Sequence, residues 1–170
     1  MGREVTLFSF VPESELFEDG IWKDTEEYSY FTVLRPLESR ALHKCDLDRR
    51  FQWLHWTLEK LHPGPLAHWS VYGKEQIAPE AVATQGFPIN WDAPRTCADI
   101  ASLMQRTDIQ RLRSAVNCAD MATAHLYKFG NWNSADNEIV SGRIADDFEA
   151  LRAFYISVAE NTQAALVYQD

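Results

Sequence analysis

One segment with helical periodicity constrains the fold more than any other part of the chain. It runs from Asp46 to Leu61, and its apolar residues recur at intervals of four, three, four and three, at Leu47, Phe51, Leu54, Leu58 and Leu61. This spacing aligns them along one face of an α-helix. Asp46 is a candidate N-cap, and the sequence His-Pro-Gly-Pro after Leu61 ends the helix. We therefore predict a helix over 46–61 whose apolar face packs against another layer.

The C-terminal part repeats this pattern over a longer stretch. Residues 139–160 carry apolar side chains with the same spacing, at Ile144, Phe148, Leu151, Tyr155 and Val158. They predict a long amphipathic helix. β-Branched and aromatic residues predict one strand near each end of the chain, over Val5–Val11 and Ala164–Tyr168. We expect these two strands to pair at the centre of a sheet.

The segments between these elements do not alternate regularly between strand and helix. Further helices are expected near Pro94 with Asp92 as the cap, at a capping box over 107–110, and from Asn117 or Asp120. A second strand or an exposed aromatic segment is expected at Tyr28–Leu34, and short strands or loops are expected at Trp69–Tyr72 and Gly86–Trp91. The irregular order favours an α+β fold over a doubly wound sheet. We predict one domain over residues 1–170, in which a short mixed sheet with the N- and C-terminal strands packs against several helices.

Composition and charge limit the classes of function. Hydrophobic residues make up 46% of the 170 residues, which is enough for a buried core, and the formal net charge is −9. A surface that binds nucleic acid is normally basic, so nucleic acid is not an expected partner. A net negative charge favours association with a basic protein, for example a toxin domain.

The cysteines and the hydropathy pattern predict a location. Cys45, Cys97 and Cys118 form an odd set without CxxC spacing, which suits a reducing compartment better than a disulfide framework. The N-terminus has no long apolar region of the kind found in secretion signals. No apolar run approaches the roughly 18 residues that a membrane span requires. We therefore expect a cytoplasmic protein that does not associate with membranes.

Separated motifs resemble the YfbM-like family, a bacterial family with a domain of unknown function. The first motif is DLDRRFQWLHW, and its matching residues are Asp46, Leu47, Asp48, Arg49, Phe51 or Trp53, Leu54 and His55. The second motif lies in the C-terminal half, at Met121, Tyr127, Trp132, Asp136 and Glu138. The long helix and the last strand also match, whereas residues 20–40 depart from the pattern. The resemblance covers most of residues 42–170, implies a single small α+β domain and implies no activity.

Sequence motifs for catalysis and cofactor binding are absent. The sequence contains no GxSxG, GxGxxG or P-loop motif, and its five histidines include no HxxxH pair and no HExxH motif. Cys97 lies near a predicted helix start, where a thiolate is favoured, but no histidine is placed beside it. We therefore expect no catalytic residue, no cofactor and no metal site.

Aromatic residues near acidic ones are the main binding candidates. The aromatics in or beside predicted loops are Trp91, Tyr127 and Trp132, and the neighbouring acids are Asp136 and Glu138. Aromatic residues on loops often anchor protein interfaces, although tryptophans at such positions also close the edge of a core. We hypothesise a non-catalytic binding protein, for example an immunity-type inhibitor that occludes a toxin partner.

A second constellation supports a different hypothesis. Asp48 and His55 are two helical turns apart on one face, about 10.5 Å along the axis, so they cannot pair directly but could reach a common ligand. Together with Tyr127 they define an alternative pocket for a small molecule or for an enzyme of unspecified reaction. The structural alternative is that Asp48 serves the helix N-terminus and His55 bonds a backbone carbonyl. The sequence leaves the partner, any ligand and the oligomeric state open.

Overall fold

The computed structural model describes most of the chain, and its residues form one sheet with helices packed on it. The described residues are 4–11, 35–47, 49–77, 89–126, 129 and 131–169. The predicted strand at Tyr28–Leu34 lies outside them, as do Asp48 and Tyr127.

Five strands form the sheet. In chain order they are β1 Val5–Phe10, β2 Lys44–Leu47, β3 Glu75–Ile77, β4 Ile89–Asp92 and β5 Ala164–Gln169. Their order across the sheet is β2-β1-β5-β4-β3, which confirms the expected pairing of the first and last strands at its centre. The pairings between these described strands are all antiparallel, whereas a mixed sheet was expected.

The helices of the described part include the predicted ones and two that were not predicted, Arg35–Arg40 and Pro65–Tyr72, and the α+β class is confirmed. They are α1 Arg35–Arg40, α2 Phe51–Leu61, α3 Pro65–Tyr72, α4 Pro94–Arg106, α5 Ile109–Ala115, α6 Cys118–Thr123 and α7 Asn137–Glu160, with a 3₁₀ turn at Ser134–Asp136. Among them, none is both long and apolar enough to cross a bilayer.

The long helix α7 organises the main core. Every residue of its predicted apolar stripe is buried. The helix packs against α4 and α5, with further contacts to α2 and β2. Because its stripe repeats at the helical period, it presents one continuous apolar face to these neighbours. The prediction of a long amphipathic helix at the C-terminal end is therefore confirmed.

The two faces of the sheet carry different sets of buried residues, because successive side chains of a strand point to opposite faces. On the helix-covered face, the strand residues in the main core are Val5, Leu7, Cys45, Leu47, Ala165 and Val167. The opposite face carries another buried set, namely Phe8, Phe10, Ile89 and Leu166. Both faces therefore carry buried side chains, although Lys44 and Asp46 of β2 are exposed on the face opposite the helices.

The first predicted helix is shorter than expected. Lys44–Leu47 pairs with β1 as strand β2, and α2 begins only at Phe51. Asp46 is therefore not an N-cap, and its carboxylate accepts a hydrogen bond from the Thr6 hydroxyl at 3.0 Å. The alternating exposure of β2 explains the error, since Leu47 fits both the buried face of a strand and the helical stripe.

Other predicted helix boundaries also differ from those in the structure. Trp69–Tyr72, expected as a strand or loop, is the end of α3, which Pro65 begins in the favourable first position. Asp92 does not cap α4, because it belongs to β4 and is buried, and Ala93 takes the capping position. Asp108 rather than Thr107 caps α5, by accepting a hydrogen bond from the Arg111 amide.

Candidate functional site

Four side chains converge where α2 and α3 pack together. His55 and Glu59 lie one turn apart on α2, and His68 and Tyr72 lie one turn apart on α3. Residues i and i+4 of a helix lie on the same face, so each helix offers a pair of polar or aromatic side chains to the other. We call this group, His55, Glu59, His68 and Tyr72, the two-histidine cluster.

The distances within the two-histidine cluster are short. Nε2 of His55 lies 3.3 Å from Nδ1 of His68 and 3.3 Å from a carboxylate oxygen of Glu59. One ligand atom from each of these three residues lies within 4.8 Å of the other two. A single imidazole nitrogen thus meets both a second imidazole and a carboxylate.

Tyr72 packs against the two imidazole rings. Its ring centroid lies 4.7 Å from that of His55 and 4.8 Å from that of His68. Burial raises the pKa of Tyr72 to about 12, and the charge of Glu59 adds to the effect. Tyr72 is therefore a neutral phenol at physiological pH, and it acts as an apolar wall rather than as a base.

The electrostatics of His55 favour the neutral imidazole. Burial lowers the pKa of His55; the Glu59 carboxylate opposes this shift, and His68 adds to it. A neutral imidazole has one nitrogen with a free lone pair, which can accept a proton or coordinate a cation. The side chains of Glu59 and His68 are exposed, so this lone pair lies close to solvent.

The predicted alternative pocket is only partly described. Of its three residues, His55 lies in the two-histidine cluster, whereas Asp48 and Tyr127 lie outside the described residues. His68, Glu59 and Tyr72 were not among the predicted site residues. They were missed because the cluster joins two helices, and the spacing rules used for metal motifs look for two histidines on one helix.

The second predicted surface lies at the start of α7. Trp132 is partly exposed and meets the buried Trp53 edge to face, with ring centroids 6.2 Å apart. The guanidinium of Arg143 lies 5.2 Å from the centroid of the same ring. Asp136 accepts a hydrogen bond from the Asn133 amide at 2.9 Å within a capping box, and Glu138 follows it on the exposed first turn. The structure therefore brings Trp132, Asp136 and Glu138 into one region.

Trp91 lies elsewhere. It is in β4, where it pairs with Glu75 across β3 and with Leu166 across β5, and its indole nitrogen donates a hydrogen bond to Glu75 at 3.2 Å. The neighbouring residue Asp92 reaches α7 through a hydrogen bond from Tyr155, so Trp91 points to the opposite face of the sheet. Trp91 is thus separated by the sheet from the helix-side core on which Trp132 packs.

A shallow groove lies between β2 and the C-terminal half of α7. Its volume is about 400 Å³, and its wall includes Cys45, Phe154, His43 and Ser157, the last two joined at 3.1 Å. Burial raises the pKa of the Cys45 thiol to about 12, with Asp46 adding to the effect, so the unreactive thiol form predominates. The groove therefore offers no activated thiol nucleophile.

Cys97 has a similar environment. Burial raises the pKa of its thiol to about 12, and the charge of Asp92 adds to the effect. Its sulfur donates a hydrogen bond to the backbone carbonyl of Asp92 at 3.4 Å. The position near the start of α4 does not overcome burial, so Cys97 packs as an apolar side chain.

The chain is similar to known proteins over almost its whole length. The model of a domain of unknown function, DUF1877, matches residues 6–168 of this chain. The chain belongs to the DUF1877 family. The structure is similar to the crystal structure of YfbM from Escherichia coli, a protein of unknown function, with a TM-score of 0.74 and 14% sequence identity. The match covers 98% of this chain and 99% of the other, and at this identity it shows a shared fold. None of the curated proteins matches the sequence.

Membership of the DUF1877 family confirms the resemblance to YfbM-like proteins. Two regions of the described residues have side chains suited to binding. One is the two-histidine cluster on α2 and α3, and the other is the region around Trp132 at the start of α7. They differ in kind, because the first presents converging nitrogen and oxygen atoms, and the second presents aromatic and apolar area with charges around it.

Proposed function

We propose that this DUF1877 domain is a cytosolic, non-catalytic binding protein whose partner docks at the start of α7. The docking region, which we call the α7-start surface, consists of Trp132, Asp136, Glu138, Ile139 and Arg143. The observation that carries the proposal is a partly exposed tryptophan, Trp132, that packs on the buried Trp53 and contacts Arg143, which lies one helical turn after the exposed Ile139.

The packing of Trp132 on buried aromatic rings supports its role as an anchor. Trp53, on which it packs, is 3% exposed and itself meets Phe129 edge to face at 4.9 Å. An aromatic side chain that is already fixed loses little conformational entropy when it is covered by a partner. Tryptophan is also one of the residue types most enriched among interface residues with large energetic effects.

The neighbours of Trp132 give the surface its mixed character. Ile139 is 54% exposed, and Arg143 follows it by four residues, on the same face of α7. Glu138 is exposed on the first turn, and Asp136 is fixed by its hydrogen bond to the Asn133 amide. An apolar centre with charged side chains at its margin is the usual composition of a protein interface.

The charge of the chain favours a basic partner. The formal net charge is −9, so a positively charged protein is attracted at long range and associates faster at low salt. A basic toxin domain that is occluded by this chain, as by an immunity protein, fits this description. The three free, buried cysteines fit the reducing conditions of the cytosol.

The test starts from purification of the tagged protein from its native host and identification of a stoichiometric partner by mass spectrometry. The affinity of that purified partner is then measured for wild type, Trp132→Ala and Ile139→Asp. We expect each variant to weaken binding by about 2 kcal/mol or more, roughly 30-fold, because each removes an apolar contact at the centre of the surface. Binding of the wild type should also weaken as salt increases.

Matched variants separate docking from folding. Asp136→Ala removes a capping hydrogen bond as well as a charge, so Glu138→Gln, which changes an exposed carboxylate alone, is the cleaner probe of charge. Trp91→Phe, on the opposite face of the sheet, should leave affinity unchanged. If Trp132→Ala, Ile139→Asp and Glu138→Gln all bind the partner as tightly as the wild type, the α7-start surface is not the docking site.

One observation favours a second candidate function, namely a protein that binds a small ligand near His55. Two imidazoles and a carboxylate converge there within 4.8 Å. Such convergence of polar groups is typical of ligand sites. This candidate does not depend on the α7-start surface, and it has a separate test.

A further inference from the structure

We propose that the two-histidine cluster is a binding site for a divalent transition-metal ion, Zn²⁺ foremost, with His55 Nε2, His68 Nδ1 and the Glu59 carboxylate as its protein ligands. This site is independent of the α7-start surface, because it lies on α2 and α3 and uses none of the residues of that surface.

The distances fit the coordination shell of zinc. Zn²⁺ binds histidine nitrogen and carboxylate oxygen at about 2.0–2.2 Å, so two ligand atoms of a tetrahedral site lie roughly 3.3–3.5 Å apart. Nε2 of His55 is 3.3 Å from both Nδ1 of His68 and the Glu59 oxygen. Two of the three distances between ligand atoms are therefore within the range that a tetrahedral zinc ion requires. The third needs at most a rotamer adjustment of exposed Glu59, because all three ligand atoms already lie within 4.8 Å.

The backbone that carries these ligands is fixed in the core. On α2, Leu54 and Leu58 come immediately before His55 and Glu59, and both are fully buried. On α3, Ala67 and Val71 stand in the same relation to His68 and Tyr72, and both are also fully buried. A metal site is stabilised when the backbone positions of its ligands are set before the ion arrives, and here the buried packing of both helices sets them.

Tyr72 provides an outer wall for the site. Its ring contacts both imidazoles, so neither ring can turn away without losing aromatic contact. Supporting groups of this kind orient metal ligands and affect affinity although they do not touch the ion. The cluster therefore has three candidate ligands and a side chain that orients two of them.

The chemistry of the ligand set selects the class of ion. Two imidazoles and one carboxylate suit Zn²⁺, Ni²⁺ and Cu²⁺, whereas Mg²⁺ and Ca²⁺ prefer oxygen ligands alone. Three protein ligands leave one position of a tetrahedral zinc ion open. Because Glu59 and His68 are exposed, that position faces solvent, where a water molecule or a carboxylate of another molecule can occupy it.

The experiment uses the full chain, with its affinity tag removed and its metals stripped by a chelator. Zn²⁺ is titrated by calorimetry, with Mg²⁺ as the comparison ion, into wild type, His68→Gln and Glu59→Gln. We expect one Zn²⁺ per chain with micromolar or tighter affinity, and no measurable Mg²⁺ binding. Each substitution should weaken Zn²⁺ binding by roughly 10-fold or more, since even residues that only support a ligand change affinity by 10- to 100-fold.

The variants are chosen so that folding does not decide the result. His68 and Glu59 are exposed, so glutamine at either position leaves the core intact. His125→Asn is the matched control, because it removes an exposed histidine outside the cluster at a φ of 52°, a conformation that asparagine tolerates well. This control should bind Zn²⁺ like the wild type.

Two further readouts connect binding to the named atoms. At a Zn²⁺ concentration one hundred times the dissociation constant, the melting temperature should rise by roughly 5–10 °C in the wild type and in His125→Asn. Nitrogen-15 NMR should show the largest imidazole shifts at His55 Nε2 and His68 Nδ1. The proposal is overturned if His68→Gln and Glu59→Gln bind Zn²⁺ as the wild type does, or if the wild type binds Zn²⁺ only at millimolar concentration.

Discussion

The phenol of Tyr155 donates a hydrogen bond of 2.9 Å to the carboxylate of Asp92, and both side chains are fully buried. The other carboxylate oxygen accepts a hydrogen bond from the Lys74 amide, also at 2.9 Å. One side chain of β4 therefore connects α7 with the start of β3. Burial raises the pKa of Asp92 to about 7, although both hydrogen bonds and the charge of Lys74 oppose this shift and Glu75 adds to it.

This raised pKa predicts that stability falls as pH rises towards neutrality. In the unfolded chain the carboxyl titrates near 3.8, so the folded state binds one more proton between about pH 4 and pH 7. Stabilisation by this proton is complete below about pH 4 and is lost as pH rises through about 7. The contribution of Asp92 to the free energy of unfolding should therefore decrease by at most about 1.4 kcal/mol per pH unit over this range.

Asp92→Asn isolates that contribution, because the amide is neutral at every pH and can still accept from the Lys74 amide. Urea unfolding at several pH values between 5 and 8 should show a smaller decrease in stability for Asp92→Asn than for the wild type. Asp99→Asn, which changes an exposed carboxylate on α4, should keep the slope of the wild type. Parallel curves for wild type and Asp92→Asn would mean that Asp92 does not titrate as proposed.

Tyr155→Phe should be destabilising by about 1–3 kcal/mol at pH 8, because it leaves a buried carboxylate oxygen without its donor. The cost should be smaller in the Asp92→Asn background, where no ionised carboxylate remains to be satisfied. Chemical unfolding of the two single variants and the double variant gives the coupling free energy. Strictly additive effects would show that the hydrogen bond contributes nothing beyond the packing of the ring.

The sequence was most informative where one strong pattern decided the local structure. The stripe of α7 was predicted because its apolar residues repeat at the helical period, and the terminal strands were predicted from their β-branched and aromatic residues. The predicted start of α2 was wrong because Leu47 fits both the helical period and the alternation of a strand. The pairing of β2 with β1 also depends on residues about forty positions away. The prediction of a strand or loop at Trp69–Tyr72 was wrong. Aromatic and β-branched residues favour strands, whereas Pro65 and the packing of α3 determine a helix here.

The candidate site illustrates a similar limit. His55 was singled out from the sequence, but His68 was not. The two histidines are thirteen residues apart and lie on different helices, so no helical spacing relates them. Asp92 was predicted as a helix cap because an aspartate cap followed by a proline in the first turn is typical of a helix start. Its carboxylate instead bonds Tyr155, sixty-three residues away, and no local pattern contains that partner. Side chains whose partners lie on distant elements are therefore the ones that sequence reasoning misplaces.

Gly73 is predicted to be intolerant of a side chain. It ends α3 at a φ of 72°, and a Cβ atom there would lie 2.6 Å from Cβ of Asn90 in β4. Gly73→Ala should reduce the free energy of unfolding by about 2–4 kcal/mol, through both backbone strain and this overlap. Urea denaturation of the variant measures the loss.

Gly142→Ala provides the matched comparison, since Gly142 lies within α7 and a Cβ atom there would meet nothing within 4 Å. Alanine favours the helix interior, so this variant should gain about 0.5–1 kcal/mol. Opposite signs for the same substitution at two glycines would support the backbone description of both positions. A neutral Gly73→Ala would contradict the close approach of α3 and β4.

Arg50 and Asp147 connect the start of α2 to α7 through two parallel hydrogen bonds, of 3.0 Å from Nε and 2.9 Å from a terminal nitrogen. The two partners differ in exposure, because the Arg50 side chain is 27% exposed and that of Asp147 only 10%. Removing Arg50 therefore leaves a poorly hydrated carboxylate, whereas removing the charge of Asp147 leaves a guanidinium that water can reach. We expect Arg50→Met to cost about 2–4 kcal/mol and Asp147→Asn to cost less.

Lys60→Met is the control for this asymmetry, because Lys60 pairs with Asp120 at 3.3 Å with both side chains more than 40% exposed. An exposed pair contributes about 1 kcal/mol or less, so this variant should change stability little. Chemical unfolding at low and high salt measures all three variants. Because the Arg50–Asp147 pair is shielded, its contribution should persist at high salt, whereas that of the exposed pair should diminish. Equal costs for Arg50→Met and Lys60→Met would show that Asp147 is hydrated and that the bridge between α2 and α7 is a surface contact.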